Sequence, residues 1–392
     1  MARQIDSRAI TALSAGHFAT DFSNGMLPAL LPFLVSRFDL NYTQVGALML
    51  VSALASSIIQ PVFGLWSDRR GAVWLLPVGV FLAGTGMGLA AAASSYTLCL
   101  AFVTVSGLGT AAYHPEGSKF AAFVSGSRRA SGMSLFSIGG NLGVAIGALT
   151  AAPVLLAFGR EGGLLLALPA VVVAGMLVTA LGYLEGFAPE EMRTWAAASG
   201  EDRPGALALL LAVIALRSAG WFGLLTFVPL WALSLGHSEK YGNGLLSLML
   251  FAGGIGTLAA GPLADRIGRR PVLLATVVAT PPLVVIFVAV GGALGAAALA
   301  LVGVCVVSTF GLTGVMSQEY LPSHIGLASG ISIGFSIGLG GIAALVLGAV
   351  ADAVDLETAM YACAVVPALA IVPAVLLPSS RGSRRLAPEP VV

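Results

Sequence analysis

Charged residues are scarce in this chain. Only 9% of its 392 residues are Asp, Glu, Lys or Arg, whereas 57% are hydrophobic. A soluble globular protein carries roughly 25% charged residues, so this sequence has too little charge to cover a surface that faces water. The 19 basic and 18 acidic residues nearly balance, which also argues against a partner of nucleic acid. The composition therefore indicates a polytopic membrane protein.

Cysteine is rare, and the signatures of enzymes are missing. Cys99, Cys305 and Cys363 are isolated in apolar runs, with no C-x-x-C and no His at metal spacing. We therefore expect no metal and no other cofactor. The sequence also lacks an ATP-binding G-x-x-x-x-G-K-[ST] motif and any Ser-His or paired-carboxylate arrangement, so we expect no enzymatic activity. The first apolar segment is too long for a cleavable signal peptide and is expected to remain as an anchor.

Twelve apolar segments are long enough to cross a bilayer, which takes about 20 helical residues. They lie at 9–36, 42–66, 72–93, 96–122, 130–158, 163–184, 206–235, 243–263, 271–291, 293–317, 327–350 and 358–378. The longest polar break, from Glu185 to Pro204, falls at mid-chain. We predict an all-α membrane protein of twelve transmembrane helices in two six-helix bundles. The predicted parts are an N-terminal bundle (1–184), a central cytoplasmic linker (185–204), a C-terminal bundle (205–380) and a cytoplasmic tail (381–392).

Basic residues are distributed unevenly between the two sets of loops. With the N-terminus inside, the cytoplasmic side holds 14 arginines, and the other side holds only Arg37, Arg160 and Lys240. Loops rich in Lys and Arg face the cytoplasm. Both termini are therefore predicted on the cytoplasmic side, and the protein is predicted to lie in the cell (inner) membrane. No feature indicates oligomerisation, and a monomer in the lipid bilayer is expected.

Two features recur at half the chain length. Asp68 and Asp265, each in a similar polar loop, are 197 residues apart, and Asp21 and Arg217 are 196 apart. Two six-helix halves of similar design are typical of transporters whose binding site lies between the halves near the midplane.

The repeated loop carries a family resemblance. Residues 261–270 read Gly-Pro-Leu-Ala-Asp-Arg-Ile-Gly-Arg-Arg, and 64–71 form a degenerate copy. This sequence resembles the signature loop of the major facilitator superfamily, where such loops brace the two halves in the outward-open state. The resemblance implies that conformational role here for Asp68, Arg69, Asp265, Arg266, Gly268 and Arg269.

Three further stretches resemble the fosmidomycin-resistance group of efflux proteins within that superfamily. They are His-Phe-Ala-Thr-Asp at 17–21, Tyr-His-Pro-Glu-Gly-Ser at 113–118 and Gln-Glu-Tyr-Leu-Pro at 318–322. The resemblance implies export of a small, antibiotic-like compound.

Ionisable residues within the spans are few, and each costs at least about 2.5–3.5 kcal/mol to insert. They are His17 and Asp21 in the first span, His114, Glu116 and Lys119 in the fourth, Arg217 in the seventh, and Glu319 at the end of the tenth. In the superfamily, these four spans line the central cavity. Each residue is therefore a functional candidate.

Roles follow from chemistry and spacing. We predict proton coupling by Glu116, His114 or Asp21, since burial brings carboxyl and imidazole pKa values towards neutrality. Glu116 is also three residues from Lys119, which leaves a local salt bridge as the alternative. The predicted substrate-binding residues are Arg217, Asp21, Asn24, His17, Tyr113, Trp221 and Glu319. Asp21 and Arg217 are expected to face each other across the cavity, either as a gate or as a fixed ion pair.

Glycines at four-residue steps mark the fifth and eleventh spans. They are Gly139, Gly143 and Gly147, and Gly330, Gly334 and Gly338. Such stripes allow close helix packing. In the superfamily these spans pack between the halves, so the stripes are expected to ease rocking, or else to provide static packing.

These observations predict a secondary active transporter that exports a small polar or anionic organic compound by proton antiport and alternating access. A proton symporter or a uniporter on the same scaffold is the main alternative, since the same charges serve either direction. A membrane sensor or scaffold is the second, but the chain shows no sizeable soluble domain.

Overall fold

The computed structural model describes residues 5–60, 62–63, 72–125, 129–187, 201–321 and 325–378. These ranges are helical apart from short turns and contain no β-strand. The first six long helices are α1 (Ser7–Phe38), α2 (Tyr42–Ser57), α3 (Leu75–Ala92), α4 (Tyr96–Val124), α5 (Arg129–Phe158) and α6 (Leu168–Glu185). The next six are α7 (Pro204–Ser234), α8 (Glu239–Ile267), α9 (Arg269–Val290), α10 (Gly292–Tyr320), α11 (Ile325–Ala353) and α12 (Leu356–Leu369). Short helices at Gly162–Leu166 and Ile371–Leu376 flank α6 and α12.

Nine segments within the described ranges are long and apolar enough to cross a membrane. They account for α3 to α12, because α5 and α6 fall in one continuous segment, Leu135–Glu185. The all-α membrane architecture predicted from composition is confirmed. The number of twelve crossing helices stays a prediction, since α1 and α2 are not among the nine segments.

Polar residues in the breaks between apolar segments begin the helices. Asn41 accepts from the Gln44 backbone N–H at 2.8 Å, and the Asn41 N–H donates to the Gln44 side chain at 3.0 Å. This reciprocal capping box satisfies two amide groups at the start of α2. Ser95, Ser238 and Asp355 cap α4, α8 and α12 in the simpler way, by accepting one backbone N–H each.

Helix α1 packs backbone to backbone against α5 within the N-terminal half (α1–α6). A Cβ on Gly139, Gly143 or Gly147 would overlap a carbonyl oxygen of α1. The first predicted glycine stripe therefore gives close packing, but its partner is α1 of the same half rather than the C-terminal half (α7–α12). In the second stripe, Gly330 lies outside the described side chains, and a Cβ on Gly334 would meet nothing within 4 Å.

The two halves contact each other where α2 begins and α11 ends, here called the distal end. A Cβ on Gly46 of α2 would meet the Ala344 carbonyl oxygen of α11, and one on Gly348 would overlap the Tyr42 carbonyl oxygen. Asn243 of α8 donates to the Ala29 carbonyl of α1 at 2.9 Å. Backbone contact of this kind brings the halves together with few intervening side chains.

Candidate functional site

A cavity of about 280 Å³ lies between the two halves. Its polar side chains all come from the N-terminal half: Asn24, Ser52, Ser56, Gln60, Thr110, His114 and Asn141. The side chains from the C-terminal half are aromatic or aliphatic: Trp221, Phe222, Leu225, Leu250, Val307, Phe310 and Ile337. The wall from the N-terminal half, here called the polar wall, also contains the apolar side chains of Leu27, Met49 and Val144, and the wall from the C-terminal half is here called the apolar wall. The cavity volume is close to the lower end of the range for small-molecule sites.

Asp21 is the centre of a hydrogen-bonded cluster behind the polar wall. His17 Nε2 lies 3.1 Å from Oδ2, and His114 Nε2 lies 3.1 Å from Oδ1. The Asn24 amide donates to Oδ1 at 2.9 Å. Asn24 and His114 also line the cavity. A solute in the cavity could therefore contact residues that are hydrogen-bonded to the Asp21 carboxyl group.

The fold positions this cluster through α4 and α5. The His17 ring stacks on Phe136 at a centroid distance of 4.1 Å, and His17 Nδ1 lies 2.8 Å from the Phe136 carbonyl oxygen. Gly140 follows one turn later, and a Cβ there would come within 2.6 Å of both His17 Nε2 and Asp21 Oδ2. Glycine at this position is what lets α5 lie directly over the pair.

His17, Asp21 and His114 each offer one atom that could ligate a metal ion, and these three atoms all lie within 4.8 Å of one another. The carboxylate oxygens already face imidazole and amide groups at hydrogen-bonding distance. We therefore interpret the cluster as a hydrogen-bond network rather than a metal centre.

Tyr113, predicted to bind substrate, is instead fully buried inside the N-terminal half. Its hydroxyl donates to the Leu13 carbonyl at 2.5 Å, and it is not among the residues that line the cavity. Trp221, by contrast, lines the cavity, and its contact with substrate stays a prediction.

Glu116 forms the ion pair that the sequence left as an alternative. Its carboxylate lies 2.8 Å from Lys119 Nζ, and the Glu116 side chain is buried. This pairing satisfies two charges that are expensive to insert separately. His114 contacts Asp21 rather than this pair, so the two groups expected to work together have different partners.

Arg217 lies one side chain away from the central cavity. Its guanidinium is 4.5 Å from the centre of the Phe310 ring, which lines the cavity, and it donates to the Thr309 hydroxyl. The residue is 3% exposed, and its Nε and Nη2 have no hydrogen-bond partner among the described residues. The structure does not pair Arg217 with Asp21, which is occupied by the two histidines.

Glu319, predicted to bind substrate, lies beside the predicted conformational loop and is not among the residues that line the cavity. It forms an ion pair with Arg269, near the start of α9, at the end of the bundle opposite the distal end. Gly268, with a φ of 97°, separates α8 from α9, and Arg266 is exposed. Asp68, Arg69 and the side chain of Asp265 lie outside the described residues, as do most of the predicted linker and the tail.

Sequence reasoning missed most of the polar wall. Ser52, Ser56 and Gln60 follow one another at steps of four along one helix face, and Thr110 stands four residues before His114. This spacing places the polar side chains on one face of each helix and could have indicated a polar surface. Uncharged polar residues are harder to recognise in a membrane span than charged ones. The Phe136 carbonyl had no sequence signal at all.

A cavity between two helical halves, with ionisable groups buried beside it, defines a membrane transporter. Comparison with known proteins agrees with this class. The family model of the Major Facilitator Superfamily matches residues 13–332 and 210–391, and the chain belongs to this superfamily.

Two relatives match over nearly the whole length. An uncharacterized MFS-type transporter of Bacillus subtilis (strain 168), YfnC, is 33% identical over 384 residues, which cover 94% of this chain and 92% of the relative. The Fosmidomycin resistance protein of Escherichia coli (strain K12) is 31% identical over 388 residues, again 94% and 92%. The predicted resemblance to that group is thereby confirmed.

Among solved structures, the chain is similar to a bacterial homolog of the human lysosomal transporter Spinster in an inward-facing and occupied conformation. The TM-score is 0.77 at 15% identity, over 95% of this chain and 97% of that one. This likeness concerns the fold.

Proposed function

We propose that this protein is a secondary active transporter that exports a small polar or anionic organic compound in exchange for protons by alternating access. One observation supports this most directly: the cavity between the halves adjoins a buried His–Asp–His cluster. A site that binds a solute next to groups that can bind a proton is what coupled exchange requires.

The two walls of the cavity favour an amphipathic solute. Its polar group would lie against Asn24 and His114, and its apolar part against Trp221 and Phe222. An anionic group would attract the guanidinium of Arg217, which lies against the Phe310 ring of the cavity wall and has no ion-pair partner among the described residues. Arginine suits carboxylate and phosphate groups because its planar fork donates two parallel hydrogen bonds.

For proton coupling we assign Asp21 and its two histidines. Glu116 is paired with Lys119, and we assign this pair to helix insertion. With the N-terminus in the cytoplasm, the distal end faces outward, so the contacts between α2 and α11 close the outer side of this state. The ion pair of Arg269 with Glu319 then lies at the cytoplasmic side.

One relative is named a Fosmidomycin resistance protein, which favours export over uptake. Fosmidomycin is therefore the first compound to test. Inverted membrane vesicles should accumulate fosmidomycin when their interior is made acid, because inward solute movement is then driven by outward proton movement. Asp21→Asn should abolish the dependence on the gradient. His237→Gln, at an exposed site between α7 and α8, is the matched control and should behave as wild type.

Two outcomes would contradict the proposal. Wild-type accumulation that is equal with and without the pH gradient would exclude proton antiport and favour a uniporter. Alkalinisation of the medium when the solute is added to intact cells would indicate a proton symporter working in the uptake direction.

A further inference from the structure

The hydrogen-bond partners of His17 fix where its proton must be. Its Nδ1 lies 2.8 Å from the Phe136 carbonyl oxygen. A carbonyl oxygen can only accept, so Nδ1 carries a hydrogen. A neutral imidazole has only one N–H, and in the neutral form His17 Nε2 would therefore be a bare acceptor.

That bare nitrogen would face another acceptor. Nε2 lies 3.1 Å from Oδ2 of Asp21, and an ionised carboxylate also offers only lone pairs. Two acceptors at this distance repel each other unless a hydrogen lies between them. The arrangement therefore requires one proton more than a neutral histidine and an ionised aspartate supply.

We infer that His17 and Asp21 form a proton-binding site in which His17 is an imidazolium that donates from Nε2 to the Asp21 carboxylate. This inference rests on the proposed proton antiport in one respect only, namely that the bound proton is the one exchanged. The proton belongs on His17 because imidazole is intrinsically the stronger base. Asp21 remains a carboxylate that accepts from His17 and from Asn24.

The contacts of Asp21 are the two imidazoles and the Asn24 amide, rather than an arginine or a lysine. The titratable groups facing His17 among the described residues are Asp21 on its own helix, and Tyr113 and His114 on α4. Helix α5 contributes the Phe136 ring and carbonyl. On α7, Arg217 contacts Thr309 and Phe310 instead. With His114 neutral, removing the proton would leave the Asp21 carboxylate without a cationic partner.

His114 gives the site its connection to the solute. It is the titratable side chain that both contacts Asp21 and lines the cavity. A solute that hydrogen-bonds to His114 competes with Asp21 for that imidazole. Loss of this contact changes the charge balance around Asp21, so solute binding and proton binding are linked through this carboxylate.

The test is ¹⁵N NMR of the imidazole rings in the full-length, metal-free protein in lipid nanodiscs, labelled with ¹⁵N-histidine. The His17 signals are assigned by their loss in His17→Gln and their persistence in His114→Gln. Exposed His237 is the internal reference. At about pH 7.5 a histidine with the ordinary pKa near 6.5 is roughly one-tenth protonated. His17 is expected to be at least nine-tenths protonated on both nitrogens, about a ninefold difference.

Asp21→Asn removes the counter-charge, and His17 should then be neutral at the same pH. A neutral His17 in the wild type, or an imidazolium that persists unchanged in Asp21→Asn, would overturn the inference. The two proposals fail separately. The NMR result decides the proton site whatever the vesicles show, and gradient-independent transport overturns the antiport whatever the protonation state of His17.

Discussion

The Asp352 carboxylate, near the end of α11, caps the start of α2 in the opposite half of the protein. It accepts from the Thr43 backbone N–H at 2.7 Å, from the Thr43 hydroxyl at 2.6 Å and from the Tyr42 backbone N–H at 2.8 Å. Unpaired amides at a helix start favour a negative charge, so one side chain from the C-terminal half satisfies the first turn of a helix in the N-terminal half. Because the two residues belong to opposite halves, separation of the halves at the distal end would break this contact.

Asp352→Ala should therefore favour opening at the distal end. Loss of such a cap costs about 1 kcal/mol, within a range of roughly 0.5–2, which corresponds to about a fivefold change in the ratio of closed to open states. The measurement is the rate at which a membrane-impermeant maleimide labels Ser52→Cys, in the cavity wall, in a background without the native cysteines.

Asp355→Ala is the matched control for this experiment. Asp355 caps its own helix, α12, by accepting from the Thr358 backbone N–H at 2.6 Å. Its removal costs a cap but breaks no contact between the halves. Equal labelling rates in the two variants would show that the Asp352 contact does not hold the distal end closed.

Gly143→Ala should destabilise the N-terminal half. The added methyl group would overlap the Phe18 carbonyl oxygen, and backbone cannot move aside as a flexible side chain can. Overpacking of this kind costs about 1–3 kcal/mol. Gly175→Ala on α6 is the control, because nothing lies within 4 Å of its Cβ position and alanine is the better helix former. Thermal unfolding in detergent should separate the two; a similar midpoint for both would contradict the α1–α5 contact.

Glu116→Gln should be more harmful than the double replacement Glu116→Gln with Lys119→Met. The single change removes the carboxylate of the 2.8 Å ion pair and keeps the Lys119 charge. Loss of one partner of such a pair is destabilising, whereas replacing both partners is often neutral. The unfolding midpoints of the two variants measure this. A double variant as unstable as the single one would argue that Glu116 acts through groups other than Lys119.

Arg217→Met should leave the fold intact while impairing transport of anions. The guanidinium is buried and forms no ion pair with a carboxylate in the part of the chain that the structure describes, so its removal relieves a desolvation cost. Stability is therefore expected to stay equal or to rise, and transport of anionic solutes to fall at least tenfold. A variant that unfolds would instead assign Arg217 a structural role through Thr309 and Phe310.

Asp6 gives a pH dependence outside the membrane. The Tyr183 hydroxyl donates to it at 2.6 Å and the Ala9 backbone N–H at 2.8 Å, and these hydrogen bonds lower the pKa of Asp6 from its ordinary value of 3.8. Because the folded-state pKa is the lower one, the stabilisation is present above about pH 3.8 and is lost as the pH falls through the folded-state value.

Asp6→Asn keeps a capping side chain but removes the charge. At neutral pH its free energy of unfolding should be lower than that of the wild type by less than about 1 kcal/mol, which is measured as a slightly lower unfolding midpoint. The difference should shrink as the pH falls below about 4. A constant difference across that range would mean that the charge of Asp6 is not involved.

The sequence predicted the candidate site best at ionisable residues within the spans, where burial of a charge has a large free-energy cost. His17, Asp21 and His114 stood out because charges are costly in a membrane, and the structure brings all three together. The pairing of Asp21 with Arg217 was inferred from equivalent positions in the two halves. Equivalence in a repeat fixes the depth of a residue but not the direction in which it points, and Arg217 lies behind Phe310.

The remaining contacts depend on tertiary packing that no local pattern encodes. The partner of Gly143 is a carbonyl group of α1, and the partner of Asp352 is the start of α2, about 310 residues earlier in the chain. Both the glycine stripe and the carboxylate are visible in the sequence. What they contact follows only from which helices the fold places side by side.

The backbone contact between α1 and α5 also governs what can change during a transport cycle. His17 lies on α1 and the Phe136 carbonyl on α5, and the glycines hold these helices together as one unit. In the proposed cycle of alternating access, tilting of the halves would leave the hydrogen on Nδ1 in place. His17 would then keep the same protonated nitrogen in both states, and the cycle would change only which side of the membrane supplies water to Nε2.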